Sequence, residues 1–91
     1  MSTELRDDRL AAFCLARQVR VEKRGRAYIL LSVRTDGPIA KLHLTDEKDK
    51  MRVLWWDGVR WRDPGPFGAL TMSLDPALDY IASEPAFWIH A

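Results

Sequence analysis

Met51-Arg52-Val53-Leu54-Trp55-Trp56-Asp57-Gly58-Val59-Arg60-Trp61-Arg62 is the stretch that decides the fold. Two runs rich in β-formers flank Asp57-Gly58, the dipeptide signal of a two-residue type I′ hairpin turn. That turn pairs Trp56 with Val59, Trp55 with Arg60, Leu54 with Trp61 and Val53 with Arg62. Successive strand side chains point to opposite faces. Leu54, Trp56, Val59 and Trp61 therefore share one face, expected to be core. Val53, Trp55, Arg60 and Arg62 share the other, expected to be an amphipathic Trp/Arg surface. A guanidinium opposite an indole stacks on it for about 0.5–1 kcal/mol at an exposed site.

Upstream of the hairpin, residues 3–18 read as a helix, capped by Ser2 or Thr3, with Leu10, Phe13, Cys14 and Arg17 on one narrow stripe. Three extended segments follow at residues 19–23, 27–35 and 39–44, separated by turns at Arg24-Gly25-Arg26 and Asp36-Gly37-Pro38. The apolar run of the middle segment predicts a central strand covered on both faces. The third alternates, with Ala40, Leu42 and Leu44 on one face and Lys41 and His43 on the other. Residues 45–50 form a charged loop, and Asp63-Pro64-Gly65-Pro66-Phe67-Gly68 is the densest loop signal. Downstream, Asp75 as N-cap and Pro76 at the first helical position open a second helix that Pro85 ends. The expected fold is α+β, a four- to five-stranded antiparallel meander with an N-terminal helix and a short C-terminal helix packed on it.

Ninety-one residues, 47% hydrophobic and 30% charged, predict one globular domain over 1–91 rather than a disordered chain. The single cysteine allows no internal disulfide, and neither a bilayer-length apolar run nor an apolar signal core is present, so a soluble cytoplasmic protein is expected. The net charge of +1 excludes a polybasic coat for nucleic acid. Charge is nevertheless uneven: residues 1–45 carry nine bases and five acids, residues 46–91 five bases and eight acids.

Gly37-Pro38-Ile39-Ala40-Lys41-Leu42, Leu54-Trp55-Trp56-Asp57, Arg60-Trp61, residues 78–81 and Glu84-Pro85-Ala86-Phe87-Trp88 together resemble the bacterial domain of unknown function 3024 family. Its members have a Pro-Val-Ala strand, a Tyr-Trp pair before a turn, an Arg-Trp pair, a short leucine-rich helix and a closing Pro-x-Gly-x-Phe-Trp-Gly motif. The resemblance spans residues 8–89 and includes Val19-Arg20-Val21-Glu22. The chain departs in a hairpin turn one residue shorter, in Ala86 and Ile89 flanking Phe87-Trp88 where the family has glycines, and in the Pro/Gly-rich loop after Trp61. The family brings no activity, cofactor or catalytic residue, so the resemblance implies a fold and not a function.

No chemical site stands out. Cys14, His43 and His90 are far apart and lack metal-ligand spacing, so no metal or cofactor is expected. A Cys14/His43 nucleophile pair is conceivable, but a cysteine on an apolar helix stripe behaves mostly as a small hydrophobe. The carboxylate clusters read as cap and loop charges, and no phosphate loop is present. The expectation is a non-catalytic interaction module that binds a protein partner or a second copy of itself. Trp55, Arg60, Arg62 and Met51 are its contact surface, with Phe87 and Trp88 as a second patch. The alternative is nucleic-acid binding by the same face, helped by Arg20, Lys23, Arg24 and Arg26. A small inhibitor or immunity protein of a mobile element is a further alternative, and a cross-strand ladder that only shields the sheet is the structural one. No membrane or small-molecule partner is inferred.

Overall fold

The computed structural model describes residues 8–47, 50–63 and 71–91. Helix α1 (Asp8–Arg17) passes into strand β1 (Val19–Arg24) through Gln18, whose φ of 56° redirects the chain. Gly25, at φ 60°, turns β1 into β2 (Ala27–Ser32) in a conformation glycine adopts without a Cβ clash. β3 (Pro38–Leu44), β4 (Met51–Trp56) and β5 (Trp61–Arg62) complete an antiparallel meander in the order β1-β2-β3-β4-β5. β6 (Thr71–Met72) also pairs with β4, and α2 (Leu74–Ser83) and a 3₁₀ turn (Pro85–Trp88) follow. The fold is α+β, as the pattern of elements predicts.

Both helices lie on one face of the sheet. Cross-strand neighbours Tyr28, Leu42 and Val53, and then Leu30, Ala40 and Trp55, point to that face. Leu10 of α1, Leu74, Ala77, Leu78 and Ile81 of α2, and Phe87 close over them. A bulge shapes this core. Leu30 pairs with Ala40 but Leu31 with Pro38, which leaves Ile39 as the extra residue of β3. Ile39 and Ala40 are consequently both buried, although neighbours in a regular strand would face opposite ways. Each fully buried Leu, Ile, Val or Phe contributes about 1.5–3 kcal/mol.

The structure corrects several local expectations. β2 stops at Ser32, because residues 33–35 turn and Asp36 sits at φ 61°. Only one face of β2 is covered by helices, and Ile29 and Leu31 remain half-exposed on the other. α2 starts at Leu74, with Ser73 rather than Asp75 as N-cap, and Ala77 N–H donates to the Ser73 carbonyl at 3.0 Å. Asp75 and Pro76 then fall in the first turn, where backbone N–H groups have no helical acceptor and a proline loses nothing. The expected helix start and its Ser2 or Thr3 cap, part of the charged loop, and most of the Pro/Gly-rich loop lie outside the described residues.

Candidate functional site

The hairpin does not close as a two-residue turn. Trp56 pairs with Trp61 and Trp55 with Arg62, so Asp57-Gly58-Val59-Arg60 forms a four-residue loop. Asp57 builds it: its Oδ1 accepts from the N–H of Val59 at 2.7 Å and of Arg60 at 2.8 Å, and its own N–H donates to the Arg60 carbonyl at 3.1 Å. These bonds, led by the Arg60 N–H and joined by an ion pair with Arg62, hold the Asp57 carboxyl far below the ordinary carboxylate range. Val59 is 80% exposed at the loop tip, not in the core.

Alternation groups the hairpin side chains as expected, but the two faces are exchanged. Val53 is fully buried and Trp55 packs against the core under the helices. Leu54, Trp56 and Trp61 lie on the helix-free face. The cause is the register with β3: Val53 stands opposite Leu42 and Trp55 opposite Ala40, whereas Leu54 stands opposite Lys41. Met51, only 5% exposed, pairs with Leu44 and belongs to the core, as does Phe87 at 2%. Neither residue is available as a contact residue. Trp55 is half-buried and lines a depression with Tyr80, Glu84, Ala86 and Phe87. Arg62 is exposed opposite it, two positions beyond Arg60; Arg60, the partner expected for Trp55, is instead exposed in the loop. Trp88 is half-buried, its Nε1–H donating to the Ile81 carbonyl at 2.8 Å.

The helix-free face is the more distinctive surface, and its residues were not singled out by sequence. Trp56 and Trp61 meet edge-on, with ring centroids 5.3 Å apart and planes at 64°. Lys41 Nζ lies 5.9 Å from the centre of the Trp61 ring. Across the ladder, Glu22, Ile29, Lys41 and Leu54 form one row. Leu54 is buried even though no helix covers this side, whereas Ile29, Leu31, Trp56 and Trp61 are half-exposed. The alternation of Lys41 and His43 against Ala40 and Leu42 in β3 was the available signal: carried across to β4, it places Leu54 with Lys41.

Charges around this face are paired within the molecule. Arg20 donates to Glu22 at 2.7 Å and to Asp36 at 2.8 Å, and Arg24 donates to Glu22 at 2.8 Å. These bonds, Arg20 first, lower the Glu22 pKa. Arg52 grips Asp63 with two bonds of 2.8 and 2.6 Å, which lowers the Asp63 pKa. Arg26 bonds the Thr45 carbonyl at 3.2 Å and lies 3.6 Å from Asp46. Of the basic residues expected to serve a polyanion, Arg20, Arg24 and Arg26 thus each have an acidic neighbour, and Lys23 is exposed. Cys14 and His43 are not brought together: α1 packs on the helix side, and His43 projects from the other face beside Ala27 and Arg52. Among the described residues no group of three or more His, Cys, Asp or Glu side chains could hold a metal, and no helix is long and apolar enough to cross a membrane.

Comparison with protein-family models, with curated proteins and with solved structures finds no match to this chain.

Proposed function

We propose that the protein is a non-catalytic interaction module that self-associates, its helix-free sheet face docking on the same face of a second copy. One observation carries this reading: Ile29, Leu31, Trp56 and Trp61 share a half-exposed sheet face that neither helix covers. Tryptophan with arginine at its margin is the composition of interface hot spots. Charge selects the occupant. A two-fold contact sets one patch against itself and so needs both signs. The Arg20–Glu22–Arg24 and Arg52–Asp63 groups supply both. A nucleic acid draws its affinity from bases free to displace counterions, and most arginines here are already matched.

Four strands spaced ~4.8 Å apart and ~20 Å long, with the two-residue β5 beside them, offer a flat area of about 400 Å². A standard interface buries about 800 Å² per partner. The dimer is therefore weak and concentration-dependent. Sedimentation equilibrium from micromolar to near-millimolar protein tests it. Leu31→Glu and Ile29→Lys, each checked for native circular dichroism, should give monomer. Leu15→Glu, on the exposed side of α1, should change nothing. A wild-type chain that stays monomeric throughout, or a dimer indifferent to both sheet substitutions, refutes the proposal. Salt-sensitive retention of an oligonucleotide by a monomer would give the face to nucleic acid instead.

A further inference from the structure

On the helix side of the sheet, independent of the self-associating face, a cleft of about 280 Å³ opens where α1 and β2 end beside the 3₁₀ turn. Arg17, Gln18, Ser32, Arg34, Ile39, Trp88 and Ala91 line it, with no Asp or Glu side chain among them. Its two guanidiniums differ from most of the arginines described above. Arg20, Arg24, Arg26, Arg52 and Arg62 each pair with an acid, whereas Arg17 and Arg34, like Arg60 in the distant hairpin loop, have no ion-pair partner among the described residues. Asp36, in the same turn as Arg34, is engaged by Arg20.

The site is partly preorganised. The Arg17 guanidinium sits 5.4 Å from the centre of the Phe13 ring, and Phe13 lies 6.4 Å from Trp88. Trp88 is itself anchored by its bond to Ile81. Arg17 also offsets the negative end of α1, which would otherwise repel an anion. Ser32 is the one buried polar residue among those described. Its hydroxyl oxygen accepts from the Thr35 N–H at 3.3 Å, which leaves the hydroxyl hydrogen free to donate. Gln18 adds a carboxamide donor.

The geometry points to an oxyanion site for a carboxylate or phosphate group carried by a small organic molecule. Arg17 and Arg34 supply the charge, Ser32 and Gln18 the neutral donors, and Trp88 with Ile39 the apolar wall. The volume is near the lower limit of small-molecule pockets, about 300 Å³, so the ligand is small.

Titration of the ¹⁵N-labelled full chain, followed by NMR, tests the site with inorganic phosphate, with benzoate, and with benzamide as the uncharged control. Saturable shifts are expected at Gln18, Ser32 and the Trp88 indole N–H. Arg17→Gln and Arg34→Gln, both at exposed positions, should each weaken binding about tenfold, the loss of one charge-assisted contact. Saturation by phosphate alone assigns a phosphate ligand, by benzoate alone a carboxylate, and by both the shared oxyanion chemistry. No saturable shift with either anion, equal binding of benzamide, or unchanged affinity in both variants overturns the site.

Discussion

Replacing Phe87 with alanine separates a core aromatic from the exposed contact residue that the sequence suggested. The ring is 2% exposed, belongs to one cluster with Leu30, Ile39, Leu42, Val53 and Ile81, and meets Tyr80 edge-on at 5.4 Å and 84°. Deleting a buried Phe ring costs about 3–5 kcal/mol, of which the aromatic pair accounts for about 0.5–1.5. At ~0.05–0.15 kcal/mol per residue, the whole chain has about 5–14 kcal/mol to lose. A fifth or more of the stability goes, and with ~4–8 °C lost per kcal/mol the melting temperature falls by roughly 12–40 °C. Urea denaturation followed by circular dichroism gives the free energy and thermal melts the temperature. Phe87→Leu, which keeps most of the volume, should cost less than about 1.5 kcal/mol. Arg60→Ala in the exposed loop should stay within about 0.5 kcal/mol of wild type. A Phe87→Ala loss under about 1 kcal/mol would refute the core assignment and return Phe87 to the surface.

A Cβ on Gly37 would collide with the His90 backbone carbonyl, so Gly37→Ala should cost about 1–3 kcal/mol by urea denaturation, and a wild-type midpoint would show that the C-terminal segment does not press on this turn. Asp57, Asp63 and Glu22 have folded pKa values below their unfolded ones, so their contribution is complete above about pH 5 and disappears as pH falls through 4 and below. Tyr80 is raised by burial and then by Glu84, so stability also declines as pH rises past about 10, and a denaturation series over pH rising at either extreme would contradict these signs. Burial raises the Cys14 thiol pKa, so a thiol reagent at pH 8 should modify the folded chain more slowly than the urea-unfolded chain; equal rates would place the sulfur in water.

The hairpin shows which parts of this structure sequence can reveal. Period-two alternation correctly separated Leu54, Trp56 and Trp61 from Val53, Trp55 and Arg62, because parity survives any shift of register by two residues. It could not orient the groups, since each contains tryptophan and an aliphatic residue. Orientation comes from β3, where Ala40 and Leu42 face the helices and draw Trp55 and Val53 with them. The turn length was misread because Asp-Gly commonly supports a two-residue loop, while here the Asp57 carboxylate satisfies two N–H groups of a longer one. The bulge at Ile39 has no sequence marker, as it depends on how β2 and β3 meet. The start of α2 moved only slightly, since Ser73 and Asp75 are both competent helix-start residues and tertiary pairing decides between them.

The charge pattern takes a different form in three dimensions. A basic first half and an acidic second half suggest a dipolar molecule, yet Arg9 of α1 pairs with Asp75 of α2, and Arg26 lies near Asp46 across the boundary between the halves. Within the first half, Arg20 takes Asp36 and Arg24 takes Glu22. Pairs this exposed contribute little stability, about 0–1 kcal/mol each. Their larger consequence is that a ligand must break them before using those arginines. Arg17 and Arg34 impose no such cost. The net charge of +1 therefore understates the local field at their cleft, while the run of bases along β1 overstates the field there. This pairing is the physical ground on which we propose a small anion at the end of α1 and a surface of mixed charge as the partner of the helix-free face.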